Sequence, residues 1–131
     1  MAKYTILCVD DEKTVITSLR QELELAFGRN FNFELAESAE EGLEIIGELL
    51  ADGGTISLVI SDQFMPGMKG DEFLVAVNKI DPNIGKILLT GDTAGARELS
   101  MFAGMGHLRI TSKPWDSREL QQMVRELTQK T

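Results

Sequence analysis

The chain has 131 residues, 43% of them hydrophobic, with 13 basic and 21 acidic side chains and a formal net charge of −8. This length suits one domain with a single buried core, and the spread of Leu, Ile and Val without a long polar tract excludes a disordered segment. The negative balance opposes attraction to nucleic-acid phosphates and anionic bilayers, so neither direct nucleic-acid binding nor membrane association is expected.

Residues 1–131 are read as one unit without internal repeat or linker. No apolar run approaches bilayer-spanning length, and Met1 to Tyr4 lead straight into a short strand-like run, so a reducing, cytoplasmic setting is expected. The lone Cys8 lies inside that run, where a small buried thiol is the ordinary reading.

In chain order, strands are predicted at Tyr4 to Val9, Phe31 to Ala36, Ser57 to Ser61, Lys86 to Thr90 and Leu108 to Ser112. Helical spacing falls between them. The first helix presents Val15, Ile16, Leu19, Leu23 and Phe27 on one face. The second presents Leu43, Ile46 and Leu50, after a capping box of Ser38 and Glu41. The third presents Phe73, Leu74, Val77 and Ile80 and stops at Asp81-Pro82. The fourth region, from Ala94 to Gly106, is rich in Gly and Ala and should be a weak helix. The last presents Leu120, Met123, Val124 and Leu127.

Phe31, Phe33 and Leu35 alternate with polar residues, as on an edge strand, whereas Leu58, Val59 and Ile60 form an unbroken apolar run, as in a central one. Five βα units with right-handed crossovers predict an α/β fold: a three-layer, doubly wound (βα)5 sandwich whose five-stranded parallel sheet has the flavodoxin-like order 2-1-3-4-5.

That topology places the ends of the strands along one edge. Asp10 and Asp11 follow the first strand, Asp62 the third, Thr90 closes the fourth, and Lys113 follows the fifth. Three carboxylates, a hydroxyl and an ammonium would therefore meet in one pocket. Crowded carboxylates repel one another unless a divalent cation sits among them, so the group suits a hard metal and a phosphoryl group.

Taken in order, Asp10-Asp11, then Ser61-Asp62-Gln63-Phe64-Met65-Pro66-Gly67-Met68-Lys69-Gly70, then Thr90-Gly91, then Lys113-Pro114-Trp115 resemble the receiver domain of two-component response regulators, of the chemotaxis type. Each element alone is common; all of them at predicted strand ends are specific. The resemblance implies that Asp62 is the phosphoacceptor. It implies Mg²⁺ (or Mn²⁺) on Asp10, Asp11, Asp62 and the backbone carbonyl of Phe64, and phosphoryl contacts from Thr90, Gly91 and Lys113. A cis bond before Pro114 is also implied. So are a histidine kinase or histidine phosphotransfer protein as donor, an output domain or effector of unassigned type, and pairing of two copies through the fourth helix, fifth strand and fifth helix. The product is a modified self, so no conventional enzyme is expected.

The chain departs from the family pattern at Ile110, where receivers commonly carry Phe or Tyr, so an altered switch is expected. Phe64 and Asp92 occupy positions that tune phosphoryl lifetime in the family. An apolar ring cannot orient a hydrolytic water and another carboxylate adds negative charge near the phosphoryl group, so slow self-dephosphorylation is expected. His107 is read as a loop or strand-entry residue.

Two rival readings stand beside the receiver. One is a phosphorylation-independent binding module on the same fold, a reading that Ile110 leaves open and the intact Asp62, Thr90 and Lys113 oppose. The other is a small Mg²⁺-dependent phosphatase forming an aspartyl phosphate, of the haloacid dehalogenase type. That type places its nucleophile in an Asp-x-Asp pattern after the first strand, where this chain has adjacent Asp10 and Asp11.

Overall fold

A computed structural model describes residues 4–128. Five strands, β1 (Tyr4–Val9), β2 (Phe31–Ala36), β3 (Ile56–Asp62), β4 (Gly85–Thr90) and β5 (Leu108–Ser112), alternate with five helices, α1 (Lys13–Phe27), α2 (Ala39–Ala51), α3 (Gly70–Ile80), α4 (Thr93–Arg97) and α5 (Ser117–Thr128). All strand pairs are parallel and the order is β2-β1-β3-β4-β5, the predicted flavodoxin-like arrangement.

Strand pleating divides the core in two. Leu7, Val9, Val59 and Leu88 face α2 and α3, where Ile46, Phe73, Leu74 and Val77 cover them. Ile6, Cys8, Leu58, Ile60, Ile87 and Leu89 face α1 and α5, under Ile16, Leu19, Leu23, Leu120, Val124 and Leu127. Burying each large apolar side chain contributes roughly 1.5–3 kcal/mol, so the two layers dominate the stability. Cys8 is fully enclosed, and its burial pushes the thiol up to about 12. The edge and centre assignments hold: β2 is half-buried on alternate residues, while β3 and β4 are buried almost throughout.

Two local expectations need correction, and the third, a weak fourth helix, holds. Leu50 and Ile80 are exposed, each in the last turn of its helix, and Leu49 packs inward in place of Leu50. Ser38 does cap α2 by accepting the Glu41 N–H, but the Glu41 carboxylate reaches back one residue further, to the N–H of Glu37. The fourth helical region is shorter than its stretch of sequence. α4 has five residues and is followed by an extended Leu99 and a 3-10 turn, Ser100–Phe102. The weak helix propensity of Gly and small residues accounts for the break.

Candidate functional site

The parallel register carries the C-terminal ends of the strands to one edge. Val9 pairs with Ser61, Asp62 with Leu89, and Thr90 with Ser112, so the residues just beyond face a common depression. Asp10 and Asp62 are buried and Asp11 is exposed; carboxylate oxygens of the three lie within 4.8 Å of one another. The ammonium of Lys113 stands 2.9 Å from Asp10 Oδ2, 3.2 Å from Asp62 Oδ2 and 3.8 Å from Glu12 Oε1. Asp10 Oδ1 also accepts the N–H of Glu12, which fixes the turn from β1 into α1.

Burial pushes the Asp62 carboxyl above the usual range, and the Asp10 charge, with a smaller contribution from Asp11, pushes the same way against the opposing pull of Lys113. Loss of solvent pulls the Lys113 ammonium down, but the hydrogen bonds and charges of Asp10 and Asp62 together outweigh it and hold this group above its ordinary value. One ammonium therefore serves Asp10 and Asp62 with the Asp11 carboxylate beside them, which leaves negative charge uncompensated in a partly desolvated pocket. That donor set, oxygen only and two-thirds buried, fits a hard divalent cation such as Mg²⁺ or Mn²⁺.

The loop after Asp62 is fastened at both ends. Buried Gln63 donates from Nε2 to Asp71 Oδ2 at 3.0 Å and accepts the Asp71 N–H on Oε1 at 2.8 Å, while its backbone N–H reaches Leu89 O and its carbonyl accepts from Gly70. Two glycines are required by this path. Gly67 has φ +80, and a Cβ on Gly70 would lie 2.1 Å from the carbonyl oxygen of Asp62. Phe64 projects into solvent, 61% exposed.

On the far side of the pocket Thr90 is buried, and its Oγ1 accepts the Asp92 N–H at 3.1 Å. The Asp92 carboxylate caps α4, accepting the Gly95 N–H on Oδ1 at 3.0 Å. A depression of about 190 Å³ lies between these groups and the ring of Phe64, lined also by Ala96 and Leu99. Gly91 is exposed, and a Cβ there would meet nothing within 4 Å. The Lys113-Pro114 bond is cis. Ile110 is half-buried on β5 against the α2 and α3 layer. His107, at φ +58, enters β5 at the opposite end of the sheet from the pocket.

Several contributors escaped the sequence reading. Asp71, the brace of Gln63, stands eight positions away and would be visible only if the loop were known to fold back. Glu22 of α1 accepts from Trp115 Nε1 and Ser117 Oγ, tying α1 to the segment after Lys113, and Glu40 of α2 accepts the Met68 N–H. These pairs join residues 28 to 95 positions apart and follow no helical or strand period. Asp92 was visible, but as a charge rather than as the cap that an Asp three residues before a Gly N–H could form.

Known proteins place the site in a family. The profile of the response regulator receiver domain matches residues 6–125, and the chain belongs to that family. Among curated proteins, the sensor kinase CckA of Brucella abortus is 34% identical over 128 residues, 96% of this chain and 13% of that protein. The transcriptional regulatory protein YvrH of Bacillus subtilis is 29% identical over 131 residues, 100% of this chain and 52% of that protein. The chain thus spans about half or less of these relatives' length. Among solved structures, the signal receiver domain of an HD domain-containing protein from Pseudomonas fluorescens superposes with a TM-score of 0.79 at 27% identity, covering 98% of this chain and 88% of that one. A CheY-like receiver domain protein from Methanospirillum hungatei gives 0.77 at 27%, covering 95% and 93%. Receiver domains are signalling modules, typically without enzymatic turnover, that partner with histidine kinases. Among the described residues no helix is long and apolar enough to cross a membrane.

Proposed function

We propose that residues 1–131 act as one phosphorelay receiver that takes a phosphoryl group onto Asp62 from a histidine kinase or histidine phosphotransfer protein and changes its interaction surface in response. The observation that carries this reading is the Lys113 ammonium, held between Asp10 and Asp62 at 2.9 and 3.2 Å within a cluster of three carboxylates. Such a pocket neutralises and aligns, which is what phosphoryl transfer requires of a protein.

An Asp62 carboxylate oxygen attacks phosphorus, the O–P bond forms as the N–P bond of the donor phosphohistidine breaks, and the imidazole leaves. Asp10, Asp11, Asp62 and the Phe64 carbonyl would hold a divalent cation, which would supply positive charge against the phosphoryl oxygens. Lys113 exchanges its contact with the Asp62 carboxylate for one with a phosphoryl oxygen, and the Thr90 hydroxyl donates to another. Gly91 leaves the approach open on the Thr90 side. Exposed Phe64 offers no group to activate water, so the acyl phosphate is long-lived. The altered surface centres on α4, β5 and α5, through which two copies pair or an effector docks.

Intact-protein mass after incubation with acetyl phosphate, with and without Mg²⁺, tests the reading. One Mg²⁺-dependent phosphoryl adduct in the native chain and none in Asp62→Asn is expected. No adduct under conditions that modify a control receiver would favour the phosphorylation-independent binding module.

A further inference from the structure

We propose that the open edge of β2 is a docking site for an extended, basic segment of a partner protein, laid beside the strand so that its lysine or arginine side chains meet the glutamates of α2. This surface lies at the edge of the sheet away from β4 and β5 and is independent of the reading of Asp62.

The two edges of the sheet are finished differently. Lys86 N donates to His107 O, and successive residues of a strand turn their backbone groups to opposite sides, so Leu108 and Ile110 turn theirs away from β4. Both of those carbonyls are covered: Arg109 Nη1 donates to Leu108 O at 3.1 Å and Arg97 Nη2 reaches Ile110 O at 3.5 Å. β2 pairs with β1 alone. Ala36 O accepts from Asp10 N on the β1 side, so Phe33 and Leu35 turn their backbone groups outward, where nothing among the described residues bonds to them. Such a row of unpaired N–H and C=O groups is a template for another strand.

Charge beside this edge names the occupant. Residues 30–68 hold eight acidic residues and no lysine or arginine, whereas the rest of the chain holds thirteen of each sign, so the whole formal charge of −8 lies in this stretch. Asp62 is in the pocket, and the other seven stand on β2, α2 and the turns at their ends. Glu34 is exposed on β2, and Glu41, Glu44 and Glu48, at i, i+3 and i+7, form an exposed stripe along α2. The Glu41 carboxylate accepts the Glu37 N–H, which sets that stripe on the β2 flank of the helix. Among the described residues the only ion pair of these seven joins Glu37 to Lys13, at 3.9 Å between two exposed side chains. This field repels a second copy of the same edge and attracts a cationic strand.

A strand added here would lie about 4.8 Å from β2 and alternate its side chains between the two faces of the sheet. On the α2 face, beside Asn32 and Glu34, every second residue meets carboxylates. On the other face the intervening residues extend the apolar row of Phe31, Phe33 and Leu35. The segment that fits therefore alternates basic and apolar residues along the six residues of β2.

A capped hexapeptide alternating Lys and Val, compared with one of the same composition in two blocks, tests this by amide spectra and hydrogen exchange. The full 131-residue chain and Glu44→Gln/Glu48→Gln are both titrated. Both glutamates are exposed, so the variant should keep its fold. Without peptide, the Phe33 and Leu35 amides should exchange fast and those of Asn32 and Glu34 slowly. The alternating peptide should shift amides within 31–48 and slow exchange at Phe33 and Leu35 at least about tenfold. The double variant should bind it roughly three- to tenfold more weakly, and the block peptide should protect neither amide. Absence of binding, shifts scattered over other acidic surface, equal affinity of the variant, equal binding of the block peptide or fast exchange at Phe33 and Leu35 in the complex overturns the proposal. Protection of the same amides without peptide, with a doubled mass in solution, also overturns it by making the occupant a second copy.

Discussion

Lys113 stands closer to Asp10 than to Asp62, 2.9 Å against 3.2 Å, so its ammonium bridges the ends of β1 and β3 instead of pairing with Asp62 alone. On the proposed reading, Lys113 would leave Asp62 for a phosphoryl oxygen without abandoning Asp10. The same ammonium is the main positive charge available to two buried carboxylates.

Lys113→Ala should therefore destabilise the metal-free protein, by about 2 kcal/mol, less than the ~3–5 kcal/mol for breaking a fully buried pair because Lys113 is partly exposed. Urea unfolding without divalent cation measures this. The variant should still take up a phosphoryl group, but slowly. Unchanged stability would mean that solvent already compensates the carboxylates.

The Asp62 charge should weigh against the metal-free fold. Burial, with Asp10 and Asp11, raises its folded value above the unfolded 3.8, so the folded state holds the proton longer. Stability from this group is present below the unfolded value and is lost as pH rises through the folded one, because there the unfolded chain binds fewer protons. Asp62→Asn should then melt higher than the native chain at pH 7 without metal, by about 1 kcal/mol or roughly 3–5 °C, with the gap closing toward pH 4. Mg²⁺ should raise the melting temperature of the native chain and leave the variant nearly unmoved. Thermal melts across this range would contradict the account if the variant melted lower at pH 7.

Gln63→Leu removes both bonds to Asp71 and leaves a buried carboxylate oxygen without its partner. A loss of about 1–3 kcal/mol is expected in chemical unfolding, together with weaker Mg²⁺ binding by calorimetry, since the loop carrying Phe64 is then held less firmly. Native Mg²⁺ affinity in a destabilised variant would show that the brace serves stability alone.

Phe64→Asn should shorten the lifetime of the phosphorylated chain, roughly tenfold, by placing a polar group at the pocket mouth where an apolar ring now stands. The decay of the adduct, followed by mass after removal of donor, gives the rate. An unchanged or slower decay refutes the role given to Phe64.

The strands were legible because each is a short apolar run ended by charge, Gly or Pro, and the pocket was legible because Asp10, Asp11, Asp62, Thr90 and Lys113 all stand at such ends. Edge and centre could be told from the alternation in Phe31 to Leu35 and its absence in Leu58 to Ile60. Leu50 and Ile80 misled because helical period says which face a residue is on but not how much of that face is covered at the helix end. The shortness of α4 was legible only as low propensity. Gln63 with Asp71 and Glu22 with Trp115 depend on how loops return to the fold, which no local period encodes.

The position of the phosphoryl group tests the central claim most directly. Borohydride reduction of the acetyl phosphate-treated chain converts an acyl-phosphate aspartate to homoserine, and peptide mass mapping then locates it. Homoserine at position 62 alone is the predicted result. Reduction at Asp10 or Asp11, or a borohydride-resistant phosphoryl group on His107, Thr90 or a serine, would contradict it.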